Sequence, residues 1–193
     1  MDLPAGHILV LSGHPGSGKT TCAEALAHLP GGPKVHLHSD DFWGYIKTGK
    51  IDPWLPESHA QNQMIMQIAA SVAGVYAGNG YFVALDGVIR PWALPAFAEL
   101  GLPLHYIVLR TGAQEAVGRC QARGGDSLTD PAVVAALHAE FADLGAHEDH
   151  ALNVGGLNRP DTMAVLQAAL ASGRYRLNAP STSTEDSGPA HRT

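Results

Sequence analysis

A glycine-rich phosphate-binding loop is the part of this chain whose residue types and spacing point most clearly to chemistry. It is formed by eight consecutive residues, namely Gly13, His14, Pro15, Gly16, Ser17, Gly18, Lys19 and Thr20. Glycine lets the backbone fold back so that several N–H groups point at one polyphosphate. Lys19 supplies a positive charge for the β- and γ-phosphates, and the Thr20 hydroxyl, beside Thr21, can bind Mg²⁺ at the start of a helix. The loop therefore predicts binding of a nucleoside triphosphate with Mg²⁺.

The elements that must position this loop lie on both sides of it. Residues 8–11 form an apolar run typical of a buried strand, and residues 21–27 are helix formers. A strand, then the loop, then a helix is the context that the motif requires. A glycine-rich turn that matched by chance would leave Lys19 and Thr20 unexplained.

Acidic residues follow two further predicted strands. Residues 34–39 predict a strand that ends at Asp40 and Asp41, and we interpret Asp40 as the general base for an acceptor hydroxyl, with Asp41 as its competitor. Because side chains alternate along a strand, only one of the two should point into the site. The alternative is that both only cap a loop.

Asp86 follows the predicted strand at residues 81–85 and is interpreted as a second Mg²⁺ ligand beside Thr20. Gly87 would permit a close approach there. The alternative is a plain Asp-Gly turn at the end of a strand.

Two arginines stand four residues apart on a predicted helix at residues 114–123. Arg119 and Arg123 therefore share a helix face, and we predict that they neutralise charge on the triphosphate during transfer, beside a lid at residues 119–131. The alternative is a solvated helix face. Arg90 and Arg110 are weaker candidates for acceptor and phosphate contacts.

An acceptor pocket is suggested by large aromatic side chains around residues 44–56, a segment predicted to be an irregular loop. The aromatic residues that could form its walls are Trp43, Tyr45, Trp54 and Trp92. Packing in the core is the competing interpretation, because aromatic residues bury more often than they bind ligands.

The eleven histidines and two cysteines give no metal signature. No pair has the HExxH or Cys/His spacing of a zinc site. His36 and His38 alternate on one predicted strand and share a face, which favours solvent or substrate contact over a metal. The side chain of His14 is interpreted as a variable position of the loop. Cys22 and Cys120 are interpreted as small, reduced core residues.

The remaining pattern predicts a parallel sheet covered by helices. The further helices are expected at residues 57–77, with apolar residues at helical spacing, at 131–144 and at 161–172, and the further strands at 104–109 and 151–154. Parallel sheets bind ligands beyond the carboxyl ends of their strands, where the loop and the acids converge. We expect one domain at residues 1–177 and a disordered Pro/Ser/Thr-rich tail at 178–193.

Composition restricts the partners. The chain has 193 residues, 45% of them hydrophobic, which suits one well-buried domain. Its net charge of −6 argues against a protein that holds nucleic acid by neutralising phosphates. No apolar stretch has the length of a membrane span, and Asp2 replaces the basic start of a leader, so we expect a cytoplasmic protein without a membrane partner. The oligomeric state is left open.

With these residues in place, the chain resembles the P-loop small-molecule kinases, which include shikimate, gluconate and uridine kinases and chloramphenicol phosphotransferase. The likeness spans residues 7–172. Its carriers are the phosphate-binding loop, the run at residues 39–43, Leu85 to Gly87, and the arginine pair. The resemblance implies a three-layer α/β fold whose five-stranded parallel sheet has the order 2-3-1-4-5, and it implies ATP with Mg²⁺. It places the acceptor-activating acid on Asp40 and the adenine near Gly155 and Gly156. The glycine triplet of shikimate kinase is absent after the third strand, so shikimate is not expected.

The sequence thus predicts an ATP-dependent phosphotransferase acting on a hydroxyl of a small molecule. The alternative is a nucleotide-dependent ATPase or switch that acts on a protein partner. No Gln or Glu stands directly after Asp86 to position a water molecule, because Gly87 and Val88 follow it. This absence favours the kinase. The acceptor and the choice between ATP and GTP are left open.

Overall fold

The computed structural model describes residues 3–123 and 130–177, together with the backbone but not the side chain of Arg123. Three predictions lie wholly or partly outside the described residues. They are the lid, of which residues 124–129 are not covered, the tail at 178–193 and the role of the Arg123 side chain.

A mainly parallel sheet forms the centre of the protein. Its strands are β1 (Ile8–Gly13), β2 (Lys34–His38), β3 (Phe82–Gly87), β4 (Leu104–Arg110), β5 (Ala151–Asn153) and β6 (Arg176–Leu177). The first five are parallel and lie in the order β2-β3-β1-β4-β5, which confirms the predicted fold class and topology. The sixth strand was not predicted. It pairs antiparallel with β4, Leu177 opposite Leu104, and two residues are too few to show an alternating pattern.

Helices cover both faces of the sheet. They are α1 (Lys19–Ala27), α2 (Ser39–Gly44), α3 (His59–Gly78), α4 (Leu94–Ala98), α5 (Ala113–Arg123), α6 (Pro131–Ala139) and α7 (Arg159–Ser172). One core joins α3 and α4 to the face that carries Ile8 and Val10, and a second joins α1 and α7 to the face of Leu9 and Leu11. Interior parallel strands are apolar on both faces because helices bury both.

The helix α3 buries a different face from the apolar residues that predicted it. Met64, Ile68 and Val75 are 44%, 41% and 67% exposed. The buried positions are instead Asn62, Ile65 and Met66 and four alanines, Ala69, Ala70, Ala73 and Ala77. Alanine lets the helix backbone approach the sheet closely, so the helical period was correct and its phase was not.

Two boundaries also correct the predictions. β2 ends at His38, and Ser39–Gly44 forms a short helix, so Asp40 and Asp41 lie in a first helical turn and not in an alternating strand end. Acidic side chains are favourable there because the helix N-terminus carries partial positive charge. The helix α6 ends at Ala139, before the predicted residue 144. Among residues 3–123 and 130–177, no helix combines the length and apolar character needed to cross a membrane.

Candidate active site

The phosphate-binding loop connects β1 to α1 and has the backbone that its glycines predict. Gly13, Gly16 and Gly18 have φ values of 146°, 80° and 94°, a region that other residues rarely adopt. A Cβ on Gly16 would lie 2.5 Å from the carbonyl oxygen of Ala116 in α5. Lys19 is largely buried, and its Nζ lies 3.4 Å from the His14 carbonyl oxygen. The loop is thus a backbone cradle fitted tightly against α5.

Ser17 supports the fit of this cradle to a polar ligand. Its Oγ is buried and has no hydrogen-bond partner among the described residues. A buried hydroxyl without a partner is costly, and a phosphate oxygen would provide the missing acceptor. The loop residues therefore suit the phosphates of a nucleotide.

His14 is a structural anchor, which corrects its interpretation as a variable position. Its side chain is 1% exposed, Thr111 N–H donates to its Nε2 at 3.0 Å, and its Nδ1 lies 2.8 Å from the Pro15 carbonyl oxygen. The ring also packs against His138, with centroids 4.4 Å apart. Burial lowers the pKa of His14 to about 4, so the neutral ring ties the loop to the segment after β4.

Thr20 and Asp86 are brought together as predicted for a pair that could hold Mg²⁺. The Thr20 hydroxyl donates to Asp86 Oδ2 at 2.6 Å. The other oxygen, Oδ1, lies 2.6 Å from His36 Nε2 and 3.0 Å from His38 Nδ1. Burial alone would raise the pKa of Asp86, but the hydrogen bonds from His36, His38 and Thr20 outweigh it, so its pKa is lowered and the carboxylate is ionised.

Both histidines on β2 were missed as site residues. Their signal was present in the sequence, since alternate residues of a strand share a face and β2 was expected beside β3. In the register of the sheet, His38 lies opposite Asp86 and His36 lies opposite Ala84. Their partners are carboxylates, whereas the prediction favoured solvent or substrate. Within the described ranges, no group of three or more His, Cys, Asp or Glu side chains forms a metal site.

Asp40 and Asp41 both line the cavity beside the phosphate-binding loop. Asp40 Oδ2 lies 3.4 Å from His38 Nε2. Desolvation would raise the pKa of Asp40, yet the contact with His38 and the charges of His38 and Lys19 lower it overall. The charge of Lys19 and the imidazole of His38 therefore both act on the Asp40 carboxylate.

Arg119 lies against the phosphate-binding loop. It donates to the Gly16 carbonyl oxygen at 3.3 Å and forms an ion pair with Glu115 at 2.5 Å. Glu115 also accepts a hydrogen bond of 3.2 Å from Gly156 N–H. Arg119 is thereby connected through Glu115 to the loop after β5, where the resemblance placed the adenine. Glu115 was not predicted, because nothing local in the sequence marks it.

The two weaker arginine candidates, Arg90 and Arg110, occupy different places in the structure. Arg90 lines the cavity and forms an ion pair with Glu140 at 3.0 Å. Arg110 is instead bound through both guanidinium nitrogens to the carboxylate of Glu148, and among the described residues it does not join the phosphate-binding loop. The suggestion of a phosphate contact for Arg110 is therefore not supported by its position.

A cavity of about 1100 Å³ joins the loop to the aromatic segment. Single ligand pockets are typically about 300–1,000 Å³, so the space suits a nucleotide tail together with a second molecule. All four aromatic residues named from the sequence line it, namely Trp43, Tyr45, Trp54 and Trp92. Trp43 is buried and donates to Asn62 Oδ1 at 3.1 Å, whereas Trp54 and Trp92 are partly exposed. Cys120 also lines the cavity, and Cys22 and Cys120 are both buried free thiols.

The far wall of this cavity is fixed by the segment after β3. The Ser12 hydroxyl donates to the Ile89 carbonyl oxygen at 2.6 Å and lies 3.0 Å from the Ile89 nitrogen. Tyr106 donates to the same carbonyl oxygen at 2.9 Å. Because Ile89 is held from two neighbouring strands, Val88 and Arg90 on either side of it are presented to the cavity.

Comparison with known proteins identifies the family to which this fold belongs. A family model described as an AAA domain matches residues 8–144, which include the loop, Asp40, Asp86 and the arginine helix. The chain belongs to this AAA-domain family of P-loop proteins.

Solved structures of kinases share the fold of this AAA-domain chain. The gluconokinase of Sinorhizobium meliloti 1021 has a TM-score of 0.68 and 16% identity, covering 89% of this chain and 94% of that one. A sugar kinase of Janibacter sp. HTCC2649 has a TM-score of 0.61 and 17% identity, covering 86% and 92%. The Mycobacterium tuberculosis APS kinase, solved with AMPPNP and APS, has a TM-score of 0.60 and 17% identity, covering 88% and 99%. These likenesses show a P-loop kinase-type fold.

A curated relative is named for an activity other than that of a kinase. The tRNA dimethylallyltransferase of Anaeromyxobacter sp. (strain K) is 30% identical over 147 residues, which make up 75% of this chain. The AAA-domain chain spans only 45% of the length of that relative.

Proposed function

We propose that this protein is an ATP-dependent phosphotransferase that moves the γ-phosphoryl group to a hydroxyl of a small molecule. The observation that carries the proposal is one cavity lined both by Lys19 and Thr20 of the phosphate-binding loop and by Asp40 with the tryptophans. A donor and an acceptor could therefore meet without a large rearrangement, which is the main requirement of phosphoryl transfer.

Asp40 is the proposed base. In the transfer, a bond forms from the acceptor oxygen to the γ-phosphorus, the bond to the bridging oxygen of ADP breaks, and the hydroxyl proton passes to a carboxylate. The Asp40 carboxylate is ionised at neutral pH, so it can accept a hydrogen bond from the acceptor hydroxyl and take its proton as the bond to phosphorus forms. Lys19 and Arg119 would neutralise the phosphate charge, since Lys19 belongs to the loop and Arg119 lies against it.

Thr20 and Asp86 fit the needs of Mg²⁺. This ion is usually held by one or two protein oxygen groups together with substrate phosphates, and a hydroxyl bonded to an ionised carboxylate provides such a pair. When bound, Mg²⁺ would supply charge neutralisation to the triphosphate.

The test measures ADP release from ATP·Mg²⁺ with sugars, sugar acids, nucleosides, aminoglycosides, phenicols and bulk tRNA as acceptors. The Lys19→Ala protein serves as the blank. An acceptor that raises the rate well above the blank, with a phosphorylated product found by mass spectrometry, is the expected result. A uniform slow rate with every acceptor, despite nucleotide binding, would contradict the proposal.

Tryptophan fluorescence gives a second readout for acceptor binding. The chain contains three tryptophans, and all of them line the cavity. An acceptor that enters beside Trp54 and Trp92 should change the emission even when no ATP is present. Binding can then be separated from turnover.

Two other functions can be tested when one component is added to the same assay, a candidate protein partner or a dimethylallyl donor. Slow hydrolysis that responds to a protein rather than to a small molecule would favour the nucleotide-dependent switch. With a dimethylallyl donor added to the tRNA arm, transfer of that group to tRNA would instead follow the curated relative, although the net charge of −6 gives little support for a phosphate-neutralising surface.

A further inference from the structure

Carboxylates and imidazoles alternate in a continuous row beside the phosphate-binding loop. The row runs from Glu24 through His36, Asp86 and His38 to Asp40. Its successive N–O distances are 2.6, 2.6, 3.0 and 3.4 Å. It therefore reaches from α1, across β2 and β3, to the first turn of α2.

The position of α2 in this row depends on a close approach at Gly87. A Cβ on Gly87 would collide with the Ser39 side chain, so glycine allows α2 to begin directly against the end of β3. The next residue of α2 is Asp40. The end of β3 thus places Asp86 and Asp40 on two sides of the same imidazole.

Each imidazole of the row stands between two carboxylates. An ionised carboxylate only accepts hydrogen bonds, so both nitrogens of His36 donate, to Glu24 and to Asp86, and Nδ1 of His38 donates to Asp86. Nε2 of His38 lies 3.4 Å from Asp40 Oδ2, so His38 bridges the two carboxylates with one ring nitrogen toward each.

The two histidines differ in what they connect. His36 joins Asp86 to Glu24, an exposed residue of α1 that does not line the cavity. His38 joins Asp86 to Asp40, and both His38 and Asp40 line the cavity. His38 therefore contacts both proposed site carboxylates.

We propose that His38 is a positioning residue that holds the Asp40 carboxylate in a fixed orientation relative to the Thr20–Asp86 pair. The proposal rests on the proposed function, in which Asp40 receives the acceptor proton. Asp40 is exposed in the first turn of a short helix, so its carboxylate would sample several rotamers if nothing restrained it. The Ser39 hydroxyl donates to Oδ1 at 3.4 Å, and His38 contacts the other oxygen, Oδ2. A misplacement of about 1 Å in a reacting group can reduce a rate by about 100-fold.

Two substitutions at one position separate the two contacts of His38. In His38→Asn the amide nitrogen stands near the place of Nδ1, so the donor to Asp86 is kept and the contact with Asp40 is lost. In His38→Gln the amide nitrogen stands near the place of Nε2, so the reach toward Asp40 is kept. Glu24→Gln is the matched control, since Glu24 lies at the other end of the row, is exposed, and does not line the cavity.

We expect His38→Asn to lower the transfer kcat by about 10- to 100-fold, with less than a twofold change in the KM for ATP. His38→Gln should retain more of the activity, and Glu24→Gln should stay within about twofold of the wild type. The decisive readout is a double-mutant cycle with Asp40→Asn. If His38 acts through Asp40, His38→Asn has no further effect once Asp40 is replaced.

Three outcomes would overturn this assignment. His38→Asn could transfer at the wild-type rate, or it could lower the rate by the same factor in the Asp40→Asn background, or His38→Gln could be no better than His38→Asn. Each of these results would refute the positioning role of His38. The proposed function would still stand, provided that the wild-type protein transfers phosphate to an acceptor. If the wild type transfers to no acceptor, the proposed function fails and the positioning role fails with it. Urea denaturation of every variant keeps a loss of folding distinct from a loss of orientation.

Discussion

The hydroxyl of Thr20 donates a 2.6 Å hydrogen bond to Oδ2 of Asp86, and this bond joins the first turn of α1 to the end of β3. The Asp86 side chain is fully buried and also accepts from His36 and His38. A single carboxylate therefore links the phosphate-binding loop to two neighbouring strands.

Replacing Asp86 with Asn should destabilise the fold as well as the site. The neutral amide of Asn cannot balance the charge of the two imidazolium groups. Its NH2 group would also be a hydrogen-bond donor placed against the donors that now bind the carboxylate. We expect the free energy of unfolding to fall by about 3–5 kcal/mol, the cost of breaking a buried ion pair. Urea denaturation at pH 7 measures this loss. Thr20→Ser keeps the hydroxyl and is the control, and a loss below about 1 kcal/mol in the Asn variant would contradict the prediction.

Gly87→Ala should disturb the site by displacing α2. The added Cβ would meet the Ser39 side chain, so the helix that carries Asp40 must shift. We expect a destabilisation of about 1–3 kcal/mol, typical of overpacking, together with at least a tenfold fall in transfer kcat.

Gly44→Ala is the matched control for this shift, because it lies at the other end of the same helix. Apart from chain neighbours and its own helix backbone, no heavy atom of the described residues lies within 4 Å of its added Cβ. It should be neutral or slightly stabilising. Equal effects of the two alanines would show that contact with Ser39 is not the cause.

Arg119→Ala should separate activity from stability. Its ion pair with Glu115 is partly exposed, and exposed pairs contribute about 0–1 kcal/mol to the free energy of unfolding. A cation that stabilises the transferring phosphoryl group contributes far more to the rate, so we expect kcat to fall by about 100-fold or more.

Glu115→Gln provides the comparison for Arg119, since it weakens the ion pair while leaving the guanidinium in place. Its kcat should change by less than about tenfold. Steady-state kinetics and thermal unfolding on the three proteins test both statements. A large loss of stability in Arg119→Ala, with kcat intact, would reverse the assignment.

His14 should make the stability of the protein depend on pH in acid. Burial lowers its pKa from 6.5 to about 4, so below pH 6.5 the unfolded chain takes up a proton that the folded protein refuses. The contribution of this residue is therefore constant above pH 6.5, falls between pH 6.5 and 4, and amounts to about 3 kcal/mol over that window.

His14→Gln tests this dependence, because its amide oxygen can accept from Thr111 N–H without titrating. Between pH 6.5 and 4, the slope of the unfolding free energy against pH should be smaller in His14→Gln than in the wild type, by about 1.4 kcal/mol per pH unit. His105, whose pKa burial also lowers to about 4, keeps its own contribution in both proteins. An unchanged slope would show that His14 is not the titrating group.

Sequence alone reached the fold because the local signals were strong and agreed with one another. The apolar runs of β1, β3 and β4 and the phosphate-binding loop each depend on neighbouring residues. The strand order came from the resemblance and was confirmed. The two-residue β6 and the phase of α3 were out of reach, since each is decided by what the element packs against.

The site divides in the same way. Residue types and spacing predicted the loop with Lys19 and Thr20, the acids Asp40 and Asp86, and Arg119 as site residues, because a polyphosphate favours those types. The structure brings these residues close together, and their roles stay predictions. Only the tertiary structure decided that His14 anchors the loop, that Arg110 pairs with Glu148, and that His38 lies between Asp86 and Asp40. Those contacts join residues that are far apart in the chain, and strand register, burial and the charge of each new neighbour select them. None of these three quantities exists before the sheet has formed.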